Sequence, residues 1–340
     1  MTFGKLIGNE AVKGSLRRLV EGGRVPHGLL FAGPAGVGKR EFALELARAL
    51  ICSDAGCGDC AVCTRIGSFD LPTSDKSDDF KRVFLSGHPD VGIVVAHKRT
   101  IPVDSIRELE REANFRPFEA TRRVFIVDEA EKMNDAAANA LLKTLEEPPE
   151  TTSLILVSSR PDSLLQTIRS RCQTIRFAPV AEGEIEKFLS ATGRTNEDAR
   201  LAARVSGGSI GRAISIDLEE FRRVRDAMLG VVRAALVSGD IAFALQTGEQ
   251  LSDAKNKDSY EENIGIMQTL VHDLLALSAE AEPDSIVNAD IAQELEGLAS
   301  DARVGQLSEW QLALEDLLAS LNVNVNKKVA TDALFVRMAA

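Results

Sequence analysis

Histidine and the two largest aromatic residue types are scarce in this chain. Its 340 residues include four histidines, one tryptophan and one tyrosine. No two histidines stand at a metal-binding spacing, and no serine or cysteine nucleophile elbow lies near them, so acid–base hydrolase chemistry has no support. So few large rings also disfavour a nucleic-acid-binding module that stacks bases on aromatic side chains.

Long apolar runs and an excess of positive charge are also missing. No run approaches the roughly 20 apolar residues of a membrane helix, and the N-terminal MTFGKLIGNE has no apolar core of a secretory signal. The 51 acidic and 40 basic residues give a net charge of −11, whereas a protein that grips DNA alone is usually basic. We therefore expect a cytoplasmic protein without membrane contact, whose nucleic-acid contacts are local or shared with partners.

The pattern of apolar residues divides the chain into three predicted domains. Residues 1–178 alternate strand-like and helix-like segments, which predicts an α/β domain with a parallel sheet covered on both faces. Strand-like runs almost vanish afterwards, so we expect a small helical domain at 179–217 and an all-α domain at 218–340. The predicted strands are 28–32, 91–96, 124–127 and 154–157, and the predicted helices of the first domain are 40–50, 103–114 and 135–147.

A phosphate-binding loop with an unusual last residue follows the first predicted strand. The stretch GPAGVGKR contains Gly33, Gly36, Gly38 and Lys39 and ends in Arg40, where the usual pattern has serine or threonine to hold Mg²⁺. Arginine carries only donors and a permanent charge, so it cannot ligate a cation. A glycine turn without any ligand is the alternative interpretation. We expect weak ATP or ADP binding at most, with Mg²⁺ binding doubtful.

Two acidic residues follow the third predicted strand, and a serine follows the fourth. Asp128 could hold a metal-bound water and Glu129 could polarise an attacking water, about 90 residues after the loop. Ser159 could point at the γ-phosphate. The plain alternatives are two surface acids and a simple strand end.

Four of the five cysteines stand close together. Cys52, Cys57, Cys60 and Cys63 have the spacing C-x₄-C-x₂-C-x₂-C, which suits a structural Zn²⁺ with all four positions filled by protein. An iron–sulfur cluster uses the same ligands, and a redox C-x-x-C would leave two cysteines unexplained. Cys172 stands apart and is expected to be buried or interfacial.

Several stretches together resemble the AAA+ clamp-loader subunits of bacterial DNA polymerase III. The segment that opens into the phosphate loop, the four-cysteine insertion and HPDV at 88–91 are among them. RRVFIVDEAEKMNDAAANALLKTLEEPP at 122–149 followed by TIRSRC at 167–172 is the most specific part. The resemblance covers residues 7–177, about half of the chain. GSIGRA at 208–213 resembles the sensor-2 region, with Arg212 as the matching arginine, and 327–338 is compatible with a collar helix.

The resemblance implies a place in a five-subunit assembly. The partners would be tau/gamma and delta subunits, and, through the complex, the sliding clamp and primer–template DNA. Tau/gamma subunits are ATPase motors with a complete loop, whereas another subunit type often has a degraded loop and keeps the arginine of SRC. Arg40 favours this second type, in which Arg171 would complete the ATP site of a neighbouring motor. By itself an S-R-C triplet would be read as one more solvated arginine.

Two other functions stay open at this point. The second is an active ATPase of the same family, which could tolerate Arg40 if Asp128 and water held the metal. ATP hydrolysis by the isolated chain would distinguish this function from that of the subunit with a degraded loop. A zinc-containing nucleic-acid-binding module with a vestigial nucleotide fold is the third, and tight, salt-sensitive DNA binding by the monomer would favour it.

Overall fold

A computed structural model of the protein describes residues 2–73, 76–252, 259–281, 285–320 and 326–339. The chain forms two compact units. The first consists of Met1–Phe188 and Gly207–Arg212, and the second of Leu189–Ser206 and Ala213–Ala340. The three-domain division with boundaries at 178 and 217 stays a prediction. No helix in the described ranges is long and apolar enough to cross a membrane.

A six-stranded sheet forms the centre of the first unit. The strand order is β2-β3-β4-β5-β1-β6, and all neighbours are parallel except the edge pair β2 and β3. The four predicted strands are confirmed, and β2 and β6 are additional. The parallel prediction is wrong for β2 alone, because a short turn joins it directly to β3 and such a turn can only reverse the chain. The strands are β1 Gly28–Ala32, β2 Phe84–Leu85, β3 Val91–Val94, β4 Arg123–Val127, β5 Thr152–Ser158 and β6 Gln173–Arg176.

Helices cover both faces of this sheet, as the sequence predicts. Alternate residues of a strand point to opposite faces, so Phe31 packs with Leu46 in one apolar cluster and Leu30 packs with Leu109 in the other. Helices α1 and α2 lie on the first face, and α4 and α5 on the second. The helices that begin before residue 190 are α1 Glu10–Glu21, α2 Lys39–Ile51, α3 Ala61–Ile66, α4 Val103–Ala113, α5 Asp135–Glu146, α6 Gln166–Arg169 and α7 Glu182–Ala191.

Local signals explain where the helices at the sheet begin and end. The side chain of Asn134 accepts a hydrogen bond from the N–H of Ala137 at 2.9 Å, which satisfies one open donor at the start of α5. Pro148 and Pro149 follow the end of α5 and prevent its continuation. Gly38 precedes α2 with a φ of 91°, a left-handed conformation that favours glycine.

The second unit is helical throughout its described residues. Its long helix α12 packs against α10, α13 and α14, and α11 packs against α15. The carboxylate of Asp273 is fully buried and accepts hydrogen bonds from the N–H groups of Val287 and Asn288 at 2.9 and 2.8 Å. The remaining helices are α8 Asn196–Val205, α9 Ile210–Ser215, α10 Leu218–Arg233, α11 Ile241–Ser252, α12 Tyr260–Ser278, α13 Ala292–Asp301, α14 Val304–Ser320 and α15 Lys327–Ala339.

Candidate functional site

The glycine-rich loop connects β1 to α2 at the carboxyl end of the parallel strands. This is the edge at which parallel α/β sheets bind their ligands. Strand β1 lies between β5 and β6. The strands β2 to β5 therefore lie on one side of β1, and the last strand, β6, lies on its other side. The strand, loop and helix that a phosphate-binding loop requires are therefore all present.

The ammonium group of Lys39 is bonded to its own loop. It donates to the carbonyl oxygens of Gly33 at 2.7 Å and Pro34 at 2.5 Å. Burial lowers the pKa of Lys39, and the charges of Glu131 and Asp128 oppose that shift. Backbone carbonyls thus occupy two of the three donors of the side chain that should reach outer phosphates.

The guanidinium group of Arg40 pairs with the carboxylate of Asp128 across the site. The Arg40 Nη1 and Asp128 Oδ2 atoms are 3.4 Å apart. Burial raises the pKa of Asp128 and the charge of Glu129 adds to this, while Arg40 opposes both. The residue that should bind a metal-bound water therefore has a fixed cation beside it.

Glu129 and Glu131 both line the site, and only the first is expected from the sequence. Glu129 has a φ of 51° and pairs with Lys132 at 2.7 Å. Glu131 accepts hydrogen bonds from the hydroxyl and the N–H of Ser159, the latter at 3.1 Å. Burial acts to raise the pKa of Glu131, but hydrogen bonds from Ser159, from Ser158 and from its own backbone N–H together outweigh burial and hold the pKa below its usual value. Ser159 is thus engaged with a carboxylate.

These side chains surround a small cavity with a surplus of acidic groups. Its volume is about 260 Å³, whereas ligand pockets are commonly about 300–1,000 Å³. Four carboxylates and two cations line it, and a surplus of like charge opposes the binding of an anion. The charged lining residues are Lys39, Arg40, Glu41, Asp128, Glu129 and Glu131.

A short segment of the first unit, 207–212, packs onto the phosphate loop. The N–H of Gly211 donates to the carbonyl of Gly36 at 2.9 Å. Gly36 has a φ of 72°, and a Cβ at this position would collide with the hydroxyl of Ser209. Arg212 is exposed, and its N–H donates to the Ser209 hydroxyl at 3.2 Å. The loop is therefore bonded to this segment as well as to Lys39.

Arg171 is not among the residues that line this cavity. It follows α6, and its guanidinium pairs with Glu146 at 2.7 Å and donates to the carbonyl of Thr167 at 3.0 Å. About a third of its side chain, 35%, is exposed. Cys172 next to it is buried, as expected, and burial raises the pKa of its thiol to about 11.

The four clustered cysteines meet in one place between α2 and α3. Their ligand atoms all lie within 4.8 Å of one another. The Sγ atoms of Cys52 and Cys57 are 4.0 Å apart, those of Cys52 and Cys60 3.7 Å, and those of Cys57 and Cys63 3.9 Å. A tetrahedral ion with Zn–S bonds of about 2.3 Å requires sulfur separations of about 3.8 Å, whereas a disulfide requires about 2 Å. The cluster fits a structural metal such as zinc.

The backbone around this cluster favours thiolates unequally. Burial acts to raise the pKa of Cys52, but the backbone at Cys57, Asp54 and Gly56 outweighs it and lowers the pKa to about 6. Burial is the main reason why the pKa of Cys63 rises to about 12, and the neighbouring thiols add to it. A bound cation would oppose the rise in the pKa of Cys63, because it favours the thiolate form of every ligand.

Several known proteins that are similar to this chain are subunits of DNA polymerase III. The family described as "DNA polymerase III, delta subunit" matches residues 8–181. The DNA polymerase III subunit delta' of Bacillus subtilis (strain 168) is 27% identical over 308 residues, which cover 90% of this chain and 89% of that protein. The delta' subunit of Escherichia coli (strain K12) is 32% identical over 228 residues, covering 65% of this chain and 63% of that protein.

A second kind of subunit is also similar to this chain. The DNA polymerase III subunit gamma/tau of Mycobacterium tuberculosis (strain ATCC 25618 / H37Rv) is 33% identical over 225 residues. The match covers 63% of this chain and 36% of that protein.

Proposed function

This chain belongs to the clamp-loader family of DNA polymerase III, and we propose that it acts there as a delta-prime-like subunit that does not hydrolyse ATP itself. In this role it supplies Arg171 to the ATP site of a neighbouring motor subunit. Its relative from Bacillus subtilis, a delta' subunit, is matched over 89% of its length. We also propose an AAA+ fold for the first unit. The order of the parallel strands and the position of the loop after β1 support this fold.

One observation carries the proposal: the ion pair between Arg40 and Asp128. In an active loop a hydroxyl follows the lysine and holds Mg²⁺, and an acidic residue at a strand end holds a water of that ion. Here a permanent cation occupies the first position and is paired with the second. Because two cations repel each other, Mg²⁺ is disfavoured at this point.

The remaining features of the site also oppose a bound nucleotide. Lys39 donates two of its three hydrogen bonds to the carbonyls of its own loop, and Glu131 adds a carboxylate that the usual loop does not need. The residues therefore do not fit a magnesium–triphosphate complex bound for hydrolysis. We therefore expect slow ATP hydrolysis or none, and weak nucleotide binding at most.

Arg171 is suited to act outside its own subunit. Its guanidinium is partly exposed, and Glu146 holds it in place at the end of α5. An exposed ion pair contributes little stability, about 0–1 kcal/mol. An anion of higher charge can therefore replace Glu146 as the partner of the arginine. The γ-phosphate of a neighbouring subunit's nucleotide is such an anion, and an arginine supplied in trans increases phosphoryl transfer by about 10³-fold or more.

The partners follow from the same proposal. The chain would assemble with tau/gamma and delta subunits, and the complex would open the sliding clamp and place it on primer–template DNA. A zinc ion on the four cysteines would have a structural role, because the protein fills all four positions and leaves none for a substrate.

The direct test replaces Arg171 in a reconstituted loader. We expect Arg171→Ala to leave assembly intact and to slow ATP hydrolysis at the neighbouring site by about 10³-fold. The total ATPase rate of the loader should therefore fall by at least the part that this site contributes. Arg169→Ala is the matched control, since Arg169 is the last residue of α6, two positions before Arg171, and pairs with Asp162 instead of Glu146. ATPase that stays at the wild-type rate in Arg171→Ala would refute the trans role.

An active ATPase of the tau/gamma kind is the second candidate. The survival of Lys39, Asp128 and Glu129 and the 33% identity to a gamma/tau subunit favour it. Brisk magnesium-dependent hydrolysis by the isolated chain would select this candidate.

A further inference from the structure

Arg48 connects the first and the last of the four clustered cysteines. It lies in the last turn of α2, and its carbonyl accepts a hydrogen bond from the N–H of Cys52 at 2.9 Å. Its side chain reaches toward α3, where Nε donates to the carbonyl of Cys63 at 3.0 Å. The bond to Cys52 is the ordinary backbone bond of a helix end, so the arginine side chain acts at Cys63.

The guanidinium group of Arg48 is held in a fixed orientation. It forms an ion pair with Glu45, one turn earlier in α2, and the two side chains are only 20% and 12% exposed. Its Nη2 atom lies beside Gly67 at the end of α3, where a Cβ would collide with it. The planar fork of arginine suits this double contact, and lysine lacks that geometry.

This contact bears on the geometry of the thiols. Cys52 directly follows α2, whereas Cys60 directly precedes α3 and Cys63 lies in its first turn. The residues between Cys52 and Cys60 include Gly56 and Gly58 at positive φ, so they form an irregular loop. Fixing α3 against α2 therefore fixes the separation of Cys52 from the other two sulfur atoms.

We propose that Arg48 is a positioning residue for a metal ion on Cys52, Cys57, Cys60 and Cys63, and that it slows the release of this ion. The inference rests on the proposed metal site. Residues that orient metal ligands without touching the ion typically change metal affinity by about 10- to 100-fold. Arg48 bonds the backbone of a ligand and belongs to this class.

The test compares two arginines that flank the cluster. Arg48→Met removes the contact with Cys63. Arg65→Met removes the same charge from α3, but Arg65 pairs with Glu119 at 3.1 and 2.5 Å and not with a cysteine. Zinc transfer from each purified full chain to a coloured chelator gives the release rate, and the charge-transfer absorption of the Co²⁺-loaded chain reports thiolate geometry.

We expect zinc release to be about 10- to 100-fold faster in Arg48→Met and within about threefold of wild type in Arg65→Met. Arg48→Lys should recover part of the difference, and it replaces Arg48→Met if the methionine variant does not fold by circular dichroism. Equal release from Arg48→Met and wild type, or equal acceleration in both methionine variants, overturns the inference. A wild-type chain that binds neither Zn²⁺ nor Co²⁺ overturns the metal site itself.

Discussion

The Arg40 guanidinium lies 3.4 Å from the carboxylate of Asp128, and this pair joins the start of α2 to the end of β4. The two positions are those from which an active phosphate loop controls a divalent ion. Here they are paired with each other. The chain therefore combines the frame of a nucleotide site with side chains that oppose its use.

Replacement of Arg40 should partly reopen the site. Arg40→Thr restores a hydroxyl and frees Asp128, so we expect magnesium-dependent binding of a fluorescent ATP analogue to become stronger. Arg111→Thr, a change of an exposed arginine on α4, controls for the loss of one positive charge. If affinity is the same in the presence and absence of Mg²⁺ for Arg40→Thr, the ion pair is not what opposes the metal.

Removal of the Glu131 charge should favour anions in the cavity. Glu131→Gln keeps an oxygen that can accept from Ser159, while it removes one of four carboxylates. Like charges about 4 Å apart repel by about 1 kcal/mol or more, so nucleotide affinity should rise at least about fivefold. Titration with the same analogue measures it, and Glu147→Gln, on an exposed position, serves as the control. Equal affinities in the two variants would contradict the electrostatic argument.

Metal removal should unfold the insertion between α2 and α3. We expect one Zn²⁺ per chain by elemental analysis, and a strong chelator should lower the melting temperature because metal binding is linked to folding. Cys60→Ser should lose the metal, whereas Cys172→Ser should keep it, since Cys172 lies outside the cluster. Full zinc content in Cys60→Ser would remove that residue from the ligand set.

Asp90 should make the first unit sensitive to acid. Its buried carboxylate accepts hydrogen bonds from the N–H groups of Phe118, Glu119 and Ala120 at 2.8–2.9 Å. Burial acts to raise its pKa, but these donors outweigh burial and hold the pKa below the ordinary 3.8. A depressed folded pKa gives stability that is present above about 3.8 and is lost as pH falls through the folded value.

Asp90→Asn should therefore cost about 1–3 kcal/mol at neutral pH, because the amide cannot accept all three N–H bonds. The buried Arg123 also loses one charge partner, although it keeps Glu112 at 3.0 Å. The loss should shrink as the pH approaches the folded pKa, and urea unfolding at a series of pH values measures it. Asp104→Asn, at an exposed ion pair on α4, is the control. A cost that does not change with pH would show that charge is not the reason.

Sequence patterns predict the centre of the fold well and its edges poorly. Strands β1, β3, β4 and β5 are continuous apolar runs because both of their faces are buried. Strand β6 reads Gln-Thr-Ile-Arg, with only Ile175 buried, and β2 has two residues, so neither gives a clear pattern. Edge strands are exposed on one side and need fewer apolar residues.

The site shows a similar division. The glycines, Lys39, Asp128 and the four cysteines are recognisable because their spacing along the chain reflects the chemistry. Glu131 and Arg48 are not, because each acts through a partner far away in sequence or on another helix. The left-handed turn at Glu129 places Glu131 beside Ser159, and nothing in the local sequence signals this turn.

The most direct test of the whole account is ATP hydrolysis by the isolated chain. Purified protein is mixed with ATP and Mg²⁺, and phosphate release is followed over hours, with an active gamma/tau subunit as the positive control. We predict release no faster than the buffer background, because the Arg40–Asp128 pair takes the place of the metal. Sustained, magnesium-dependent turnover that disappears in Lys39→Ala would contradict it.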